Sequence, residues 1–142
     1  MWEIAKTSKD AAAEFDRTMD FVGKTISTLR ELDAQTASWR TVGGVLAWVR
    51  RAAIGIMMLL GPYNYPFNET YAALIPALLM GNVAVLKHAE NVLGCGDAMA
   101  DLFREAGFEP GVFQHLIVEV SQVEGIIHDD RIAGVSLTGS VG

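Results

Sequence analysis

Short apolar runs alternate with longer helical patterns from residue 54 onward, and this order constrains the fold more than any other feature. The runs predicted as strands are Ile54–Leu60, Asn82–Lys87, Phe113–Val118 and Ile132–Leu137, and the helices predicted between them are Phe67–Met80, Asn91–Ala106 and Ser121–His128. The first run is almost wholly apolar, which is typical of a strand covered on both faces. A β-α-β-α-β-α-β order predicts the α/β class, with a parallel sheet and helices on both of its faces.

A long helix and a short strand are predicted before this alternation. Apolar residues recur at spacings of three and four from Glu3 to Leu32, which predicts one helix with an apolar stripe. The polar stretch Asp33–Thr41 is predicted to be a loop, and Val45–Arg50 is predicted to be a strand. A helical segment is therefore expected over residues 1–43 and a sheet domain over residues 44–142.

The composition excludes several classes of function. Hydrophobic residues make up 51% of the chain, a surplus that indicates faces covered by further chain or by a partner subunit, so a homo-oligomer is expected. The net charge is −6 and the basic residues are scattered, whereas nucleic-acid binding needs clustered Lys and Arg. No apolar run reaches the ~20 residues that cross a membrane, and Glu3 and Lys6 lie where a signal peptide would be apolar. With Cys95 as its single cysteine, the chain is expected to be cytoplasmic and without an internal disulfide.

Polar and glycine-rich sequences follow three of the predicted strands. They are Gly-Pro-Tyr-Asn-Tyr-Pro at 61–66, Lys-His-Ala-Glu-Asn at 87–91 and Thr-Gly-Ser-Val-Gly at 138–142. Parallel sheets bind ligands at the carboxyl ends of their strands, so these three segments are expected along one edge of the sheet. Because no Gly-x-Gly-x-x-Gly follows the strand at 54–60, other doubly wound nucleotide-binding proteins are disfavoured.

Four motifs in this order resemble the aldehyde dehydrogenase family. They are Gly61–Asn68, Ile75–Lys87, Gly107–Phe113 and Ser136–Ser140. The first is similar to the family motif Pro-Trp-Asn-Phe-Pro. The resemblance covers residues 45–142, and the preceding helix is more loosely similar to non-phosphorylating glyceraldehyde-3-phosphate dehydrogenases. It implies that residues 44–142 form an incomplete coenzyme-binding domain with a partial Rossmann-like sheet.

Asn64 stands between two aromatic residues, and Pro66 follows two positions later, which together predict a rigid turn. The resemblance implies that its amide donates a hydrogen bond to the oxyanion that forms when a cysteine adds to an aldehyde. From the residues alone, a hydrogen bond between this amide and the backbone of the turn is the alternative. The resemblance also assigns Gly61, Pro62 and Tyr63 to the coenzyme site, with Tyr63 where the family commonly has tryptophan.

Lys87 and Glu90 lie three residues apart just after a predicted strand, and taken alone they indicate a solvated ion pair. The resemblance implies instead that both contact the adenosine ribose. A carboxylate there accepts from two hydroxyls and repels a 2′-phosphate, so NAD is expected as the coenzyme, with NADP as the alternative. Gly139 and Ser140 are expected at the pyrophosphate, with a simple glycine turn as the alternative. His88 is interpreted as a neighbour of the site and not as a catalyst.

The resemblance implies the NAD(P)-dependent oxidation of an aldehyde to the acid, with a semialdehyde or glyceraldehyde 3-phosphate as the type of substrate. The family's cysteine nucleophile and glutamate base lie beyond the position that matches Gly142, so the 142 residues alone are expected to be inactive. Cys95 has no evident cation beside it, as a reactive thiolate requires, and the three histidines are too scattered for a metal site. A coenzyme-binding or assembly fragment without catalysis is the alternative function.

Overall fold

The computed structural model describes residues 2–36 and 38–139, which contain four helices and six strands. The helices are α1 (Ser8–Thr36), α2 (Asn68–Leu79), α3 (Leu93–Glu105) and α4 (Val120–Ile127). The strands are β1 (Arg40–Val42), β2 (Val45–Ala47), β3 (Ile56–Leu60), β4 (Val83–Lys87), β5 (Phe113–His115) and β6 (Ile132–Leu137). The predicted α/β class, with a long first helix, a short strand segment and then a parallel sheet with flanking helices, is confirmed.

The main sheet is parallel and has the strand order β5-β4-β3-β6. The chain moves outward from β3 through β4 to β5, and it then returns to place β6 on the other side of β3. Because crossovers between parallel strands are right-handed in nearly all proteins, this reversal puts α4 on the face opposite α2 and α3. Leu60 is paired in register with both Lys87 and Leu137, so the carboxyl ends of β3, β4 and β6 lie side by side.

The core lies between the sheet and the helices α2 and α3. Leu74 from α2, Leu86 from β4 and Met99 from α3 are almost completely buried. The aromatic rings of Phe103 and Phe113 extend this core, with their centroids 5.1 Å apart. Burying an aliphatic side chain of this size contributes about 1.5–3 kcal/mol, so these residues hold the helices to the sheet.

The β6 side of the sheet is less covered. Residues along β6 alternate between half-buried and exposed, and the exposed members are Ala133, Val135 and Leu137. Leu137 retains 70% of its accessible surface. Among the described residues, this face of β6 therefore has no layer comparable to α2 and α3.

The segment before the main sheet differs from its prediction. Helix α1 runs into the predicted loop Asp33–Thr41, and the end of that loop belongs to β1, which pairs antiparallel with β2. Gly43 and Gly44 join the two strands with positive φ angles of 57° and 80°, a conformation whose twist suits a hairpin. The loop prediction was wrong at its start because α1 continues to Thr36, and at its end because it missed this turn signal. The strand predicted over Val45–Arg50 ends at Ala47.

Helix α2 ends where its sequence predicts a boundary. Pro76 lies in its last turn, and Gly81 follows with a φ angle of 83°, a conformation that commonly ends helices. The side chain of Asn82 then accepts hydrogen bonds from the N–H groups of Ile54 and Gly55 at 2.7 and 3.1 Å. This contact joins the start of β4 to the start of β3.

Helix α1 packs against α2. The rings of Phe15 and Phe67 stack at this contact, with their centroids 5.7 Å apart. The division of the chain at residue 43 stays a prediction. Across the described ranges, 2–36 and 38–139, every helix is too short or too polar to cross a membrane.

Candidate functional site

The carboxyl ends of β3, β4 and β6 are joined by backbone hydrogen bonds. The N–H of Gly61 donates to the carbonyl of Lys87 at 3.1 Å, and the N–H of Thr138 donates to the carbonyl of Leu60 at 3.0 Å. The strand order reverses at β3, and open α/β sheets bind ligands at such a reversal. The three polar segments therefore share one edge of the sheet as far as residue 139, where the description of the last segment ends.

A cleft of about 860 Å³ opens at this edge. The predicted site residues on its walls are Gly61, Pro62, Tyr63, Asn64, Lys87 and Gly139. Glu90 lies in a neighbouring cleft of about 410 Å³, whose walls also include Lys87. Ser140 lies outside the described residues. Apart from Ser140, the structure thus gathers the predicted residues into two adjoining clefts.

Gly61 begins the turn between β3 and α2, which we call the Gly61–Phe67 turn. A Cβ atom at Gly61 would lie 2.9 Å from Oγ1 of Thr70 and 3.0 Å from the ring of His88. Both neighbours are buried, so they have little room to move away. The close approach of this turn to the end of β4 therefore requires glycine.

Side chains from other elements hold the backbone of the Gly61–Phe67 turn. Nζ of Lys6 donates to the carbonyl of Asn64 at 2.8 Å. The ring of His88, just after β4, bonds the carbonyl of Pro66 through Nε2 at 3.0 Å. The turn is thus bound on one side by the chain before α1 and on the other by the main sheet.

Glu14 of α1 binds the start of α2. Its Oε1 atom accepts hydrogen bonds from the N–H groups of Phe67 and Asn68 at 2.9 and 3.0 Å. Helix α2 makes no side-chain cap of its own, since Phe67 occupies its N-cap position. A carboxylate from another helix therefore satisfies two of the N–H groups that the first turn of a helix leaves unbonded.

His88 is fully buried and has a defined tautomer. The N–H of Ala89 donates to its Nδ1 at 3.0 Å, so Nε2 carries the proton that is donated to the carbonyl of Pro66. Burial lowers the pKa of His88, and His115 acts in the same direction. Only the neutral ring can accept at one nitrogen and donate at the other. The interpretation of His88 as a mere neighbour missed this structural contact with the turn.

Asn64 lines the cleft and is exposed. Its side-chain amide is the group of interest. It makes no hydrogen bond within the described part of the chain, so the alternative of a bond to the backbone of the turn is not observed. In contrast, the carbonyls of Asn64, Tyr65 and Pro66 all accept hydrogen bonds. The result is an unbonded amide on a fixed backbone.

Lys87 is only 8% exposed. Among the described residues, no carboxylate oxygen lies within 4.0 Å of its amine, and Glu90 is not its partner. The interpretation of these two residues as a solvated ion pair is therefore wrong. The strand end instead presents a buried cation to the cleft, with donors available to a ligand.

Comparison with known proteins places this geometry in a family. The sequence pattern of the aldehyde dehydrogenase family matches residues 1–142. The chain belongs to the aldehyde dehydrogenase family. It is 34% identical to a succinate-semialdehyde dehydrogenase [NADP(+)] of Mycobacterium leprae over 140 residues, which are 99% of the chain and 30% of that protein.

Solved structures share the fold of this aldehyde dehydrogenase chain. One is the NADP-dependent glyceraldehyde-3-phosphate dehydrogenase of Bacillus halodurans, at a TM-score of 0.80 and 28% identity, over 94% of the chain and 29% of that enzyme. Another is the succinic semialdehyde dehydrogenase of Streptococcus pyogenes, at a TM-score of 0.65 and 28% identity, over 69% of the chain and 22% of that enzyme. The chain spans less than a third of the length of these relatives. The resemblance to the aldehyde dehydrogenase family is confirmed.

Cys95 lacks the surroundings of a reactive cysteine in this aldehyde dehydrogenase chain. The carboxylate of Glu3 accepts hydrogen bonds from the N–H groups of Gly94 and Cys95 at 2.7 and 3.0 Å. Burial raises the pKa of the Cys95 thiol to about 11, and the carboxylates of Glu3 and Glu14 act in the same direction. The thiol is therefore protonated at neutral pH, whereas a nucleophile must be a thiolate. Within the two described ranges, no cluster of His, Cys, Asp and Glu side chains is arranged to hold a metal ion.

Lys6 and Glu14 were not predicted as residues of the site. Glu14 is 5% exposed although it is a carboxylate on a surface helix. Its position beside Ala11 and Phe15, on the apolar stripe of α1, was the available signal, because a charge on a buried face needs a partner. That signal predicts burial but does not identify the start of α2 as the partner.

Proposed function

We propose that the chain supplies the coenzyme cradle and one oxyanion donor of an NAD(P)-dependent aldehyde dehydrogenase, which oxidises an aldehyde to the acid. The observation that carries the proposal is the convergence of Asn64, Lys87 and Gly139 on one cleft. This cleft lies where the strand order reverses, which is where doubly wound sheets bind dinucleotides.

Asn64 is the proposed oxyanion donor. A donor that is already fixed where negative charge develops can lower the barrier by about 3–4 kcal/mol, because it need not reorient during the reaction. The bonded carbonyls of Asn64 and Pro66 and the exposed, unbonded amide of Asn64 support this role. The nucleophile is proposed to lie elsewhere, since the Cys95 thiol is protonated at neutral pH.

Lys87 and Glu90 are the proposed contacts to the adenosine ribose. The amine of Lys87 has donors that no described carboxylate takes, and the carboxylate of Glu90 can accept from two hydroxyls. Both residues line adjoining clefts, as contacts to one ribose require. When bound, the coenzyme supplies the acceptor for the hydride of the aldehyde.

The walls of the cleft complete the proposed cradle. Gly61, Pro62 and Tyr63 line the cleft together with Lys87, and Gly139 also lines it. The absence of a side chain at Gly139 lets the backbone come close to a pyrophosphate, and Ser140 is proposed to add a hydroxyl donor.

The proposal includes both nicotinamide dinucleotides. Glu90 would repel the 2′-phosphate of NADP, which favours NAD. The relative from M. leprae is named for NADP(+), however, and the structure from B. halodurans is a complex with NADP. Lys87 lines the same cleft as Glu90, and a positive charge there would attract that phosphate. A comparison of the affinities for NAD⁺ and NADP⁺ shows which of the two side chains has the larger effect.

The proposed substrate is an aldehyde that also carries an anionic group. The relatives described above are named for succinate semialdehyde and for glyceraldehyde 3-phosphate, and both molecules have such a group. We therefore place the substrate in the semialdehyde or glyceraldehyde-3-phosphate class.

Titration of the purified chain with NAD⁺ and NADP⁺ by isothermal calorimetry tests the cradle. We expect saturable binding, and we expect Lys87→Met to weaken it about 10- to 100-fold, because a hydrogen bond from a charged group contributes about 1.5–3 kcal/mol. Lys24→Met is the matched control, since Lys24 is exposed on α1 and does not line the cleft. Unchanged affinity in Lys87→Met, or a wild-type chain that binds neither dinucleotide, contradicts the proposal.

Exposed apolar residues favour a second function, which is assembly with another chain without catalysis. Trp39 and Trp48 of the β1–β2 region retain 63% and 46% of their surface, and Leu137 retains 70%. Size-exclusion chromatography beside the titration separates the two functions. Strong self-association without dinucleotide binding supports assembly, whereas binding of a dinucleotide supports the cradle.

A further inference from the structure

The chain before and within α1 reaches across the molecule to the Gly61–Phe67 turn. Lys6 and Asn64 are 58 positions apart in sequence, yet Nζ of Lys6 lies 2.8 Å from the carbonyl oxygen of Asn64. The same amine lies 4.1 Å from the centroid of the Tyr65 ring. One lysine thus contacts both the carbonyl of the proposed oxyanion donor and the residue after it.

Glu14 links this lysine to the start of α2. Its Oε2 atom pairs with Nζ of Lys6 at 2.6 Å, while its Oε1 atom accepts from the N–H groups of Phe67 and Asn68. The Glu14 side chain is 5% exposed and that of Lys6 is 14% exposed, so the pair is largely shielded from water. A buried carboxylate without its cation is strongly unfavourable, so each member of the pair keeps the other in place.

We propose that the Lys6–Glu14 pair positions Asn64, so that the side-chain amide of Asn64 points into the cleft at a fixed place. The inference rests on the proposed role of Asn64 as the oxyanion donor. Lys6 fixes the backbone at Asn64 itself, and Glu14 fixes the backbone three and four positions later. A displacement of about 1 Å in a catalytic group can cost two orders of magnitude in rate, so a donor of this kind needs such support.

A purely architectural role for the pair makes a different prediction. If Lys6 and Glu14 only attach α1 to α2, their loss lowers stability, while Asn64 in the molecules that remain folded keeps its order and its environment. If they position Asn64, its order is lost while the sheet stays intact. The order of Asn64 in the folded chain is therefore the decisive quantity.

NMR relaxation of the ¹⁵N-labelled chain measures this order directly. In the wild type we expect an order parameter of about 0.85 for the backbone N–H of Asn64. Lys6→Met removes the donor to the Asn64 carbonyl, and Glu14→Gln removes the charge that holds Lys6. We expect either variant to lower this order parameter below about 0.6 while the backbone amides of β3 and β4 keep theirs.

Rescue and control variants separate positioning from general damage. Lys6→Arg keeps the charge and the donors, and we expect it to restore most of the order at Asn64. Lys9→Met and Asp16→Asn make the same chemical changes at exposed positions of α1, and we expect wild-type values in both. Should Glu14→Gln unfold the chain, Lys6→Met decides, because it changes a less buried side chain.

Wild-type order at Asn64 in a folded Lys6→Met chain overturns the inference, and so does loss of order in the control variants. The dinucleotide titration is independent of this outcome. If the wild type binds no dinucleotide but Asn64 loses order in Lys6→Met, the positioning holds and the proposed function fails. If the wild type binds and Asn64 keeps its order in the variant, the positioning alone fails.

Discussion

The strands on either side of β3 differ sharply in their surroundings. On one side, Leu86 of β4 is completely buried under α2 and α3, and on the other, Leu137 of β6 is 70% exposed. The site follows the same division. The Gly61–Phe67 turn and Lys87 are held by contacts from several elements, whereas the Thr138–Gly139 end of the site is bound to the sheet by the N–H of Thr138. Strand order therefore determines which edge of the sheet can bind a ligand, while contacts from distant elements fix the groups along that edge.

The largest expected difference between the two sides concerns the core. Leu86→Ala is expected to lower the free energy of unfolding by about 2–5 kcal/mol, since it leaves a cavity in a packed interior. Leu137→Ala removes the same atoms from an exposed position and is expected to change it by less than about 0.5 kcal/mol. Urea unfolding followed by circular dichroism measures both values. Equal losses in the two variants would show that β6 is covered in solution.

The next difference concerns the two glycines of the site. Gly61→Ala forces a Cβ atom against Thr70 and His88, so we expect a loss of about 1–3 kcal/mol in the free energy of unfolding. Of the residues that the structure describes, a Cβ atom at Gly139 would meet only the side chain of Leu137, at an ordinary 3.8 Å, so Gly139→Ala is expected to leave stability nearly unchanged. Thermal unfolding of both variants tests this contrast. A stable Gly61→Ala chain would mean that the Gly61–Phe67 turn is not closely packed against β4.

The smallest effect is a pH dependence that arises from His88 on the β4 side. The ordinary pKa of histidine is 6.5, and burial lowers the pKa of His88 in the folded chain. Above the ordinary pKa of 6.5, both the folded and unfolded chains carry neutral His88, so its contribution to stability is complete. Below it the unfolded chain gains a proton that the folded chain does not, and each pH unit lowers the free energy of unfolding by up to about 1.4 kcal/mol until the lowered pKa is reached.

Denaturant unfolding between about pH 5 and about pH 8 measures this slope. His88→Gln is expected to reduce it, while His128→Gln, a change at an exposed histidine, is expected to leave it unchanged. Apart from the substituted histidine, the three chains are identical, so the comparison isolates the contribution of His88. An unaltered slope in His88→Gln would mean that His88 is charged in the folded chain or solvated.

The fold was predictable because its signals are local. Strands β3, β4 and β6 lie in largely apolar runs, and the glycines at 81 and 107 follow helices α2 and α3 with the positive φ angles that end helices. The hairpin of β1 and β2 was missed although Gly43-Gly44 indicates a turn there. Strands of three residues give a pattern that is too short to recognise. Local signals thus failed at the shortest strands and at the end of α1, which continues to Thr36.

The position of the candidate site was predictable from the sequence, but the contacts that hold its residues were not. Strand ends in a parallel sheet lie at one edge, so Asn64, Lys87 and Gly139 could be grouped from the order of elements alone. The contacts of Lys6 and Glu14 with the Gly61–Phe67 turn span more than 50 positions, and no periodicity in the sequence encodes which helix end a buried carboxylate will cap. His88 was underestimated for the same reason, since its partner at Pro66 belongs to another element.

The cap that Glu14 forms on α2 has a consequence for protein engineering. A designer who transplants only the Gly61–Phe67 turn into another parallel scaffold leaves behind Lys6, Glu14 and His88, which bind its backbone. The smallest portable module is therefore the continuous stretch from Lys6 through His88, which carries α1, β3, α2 and β4 together.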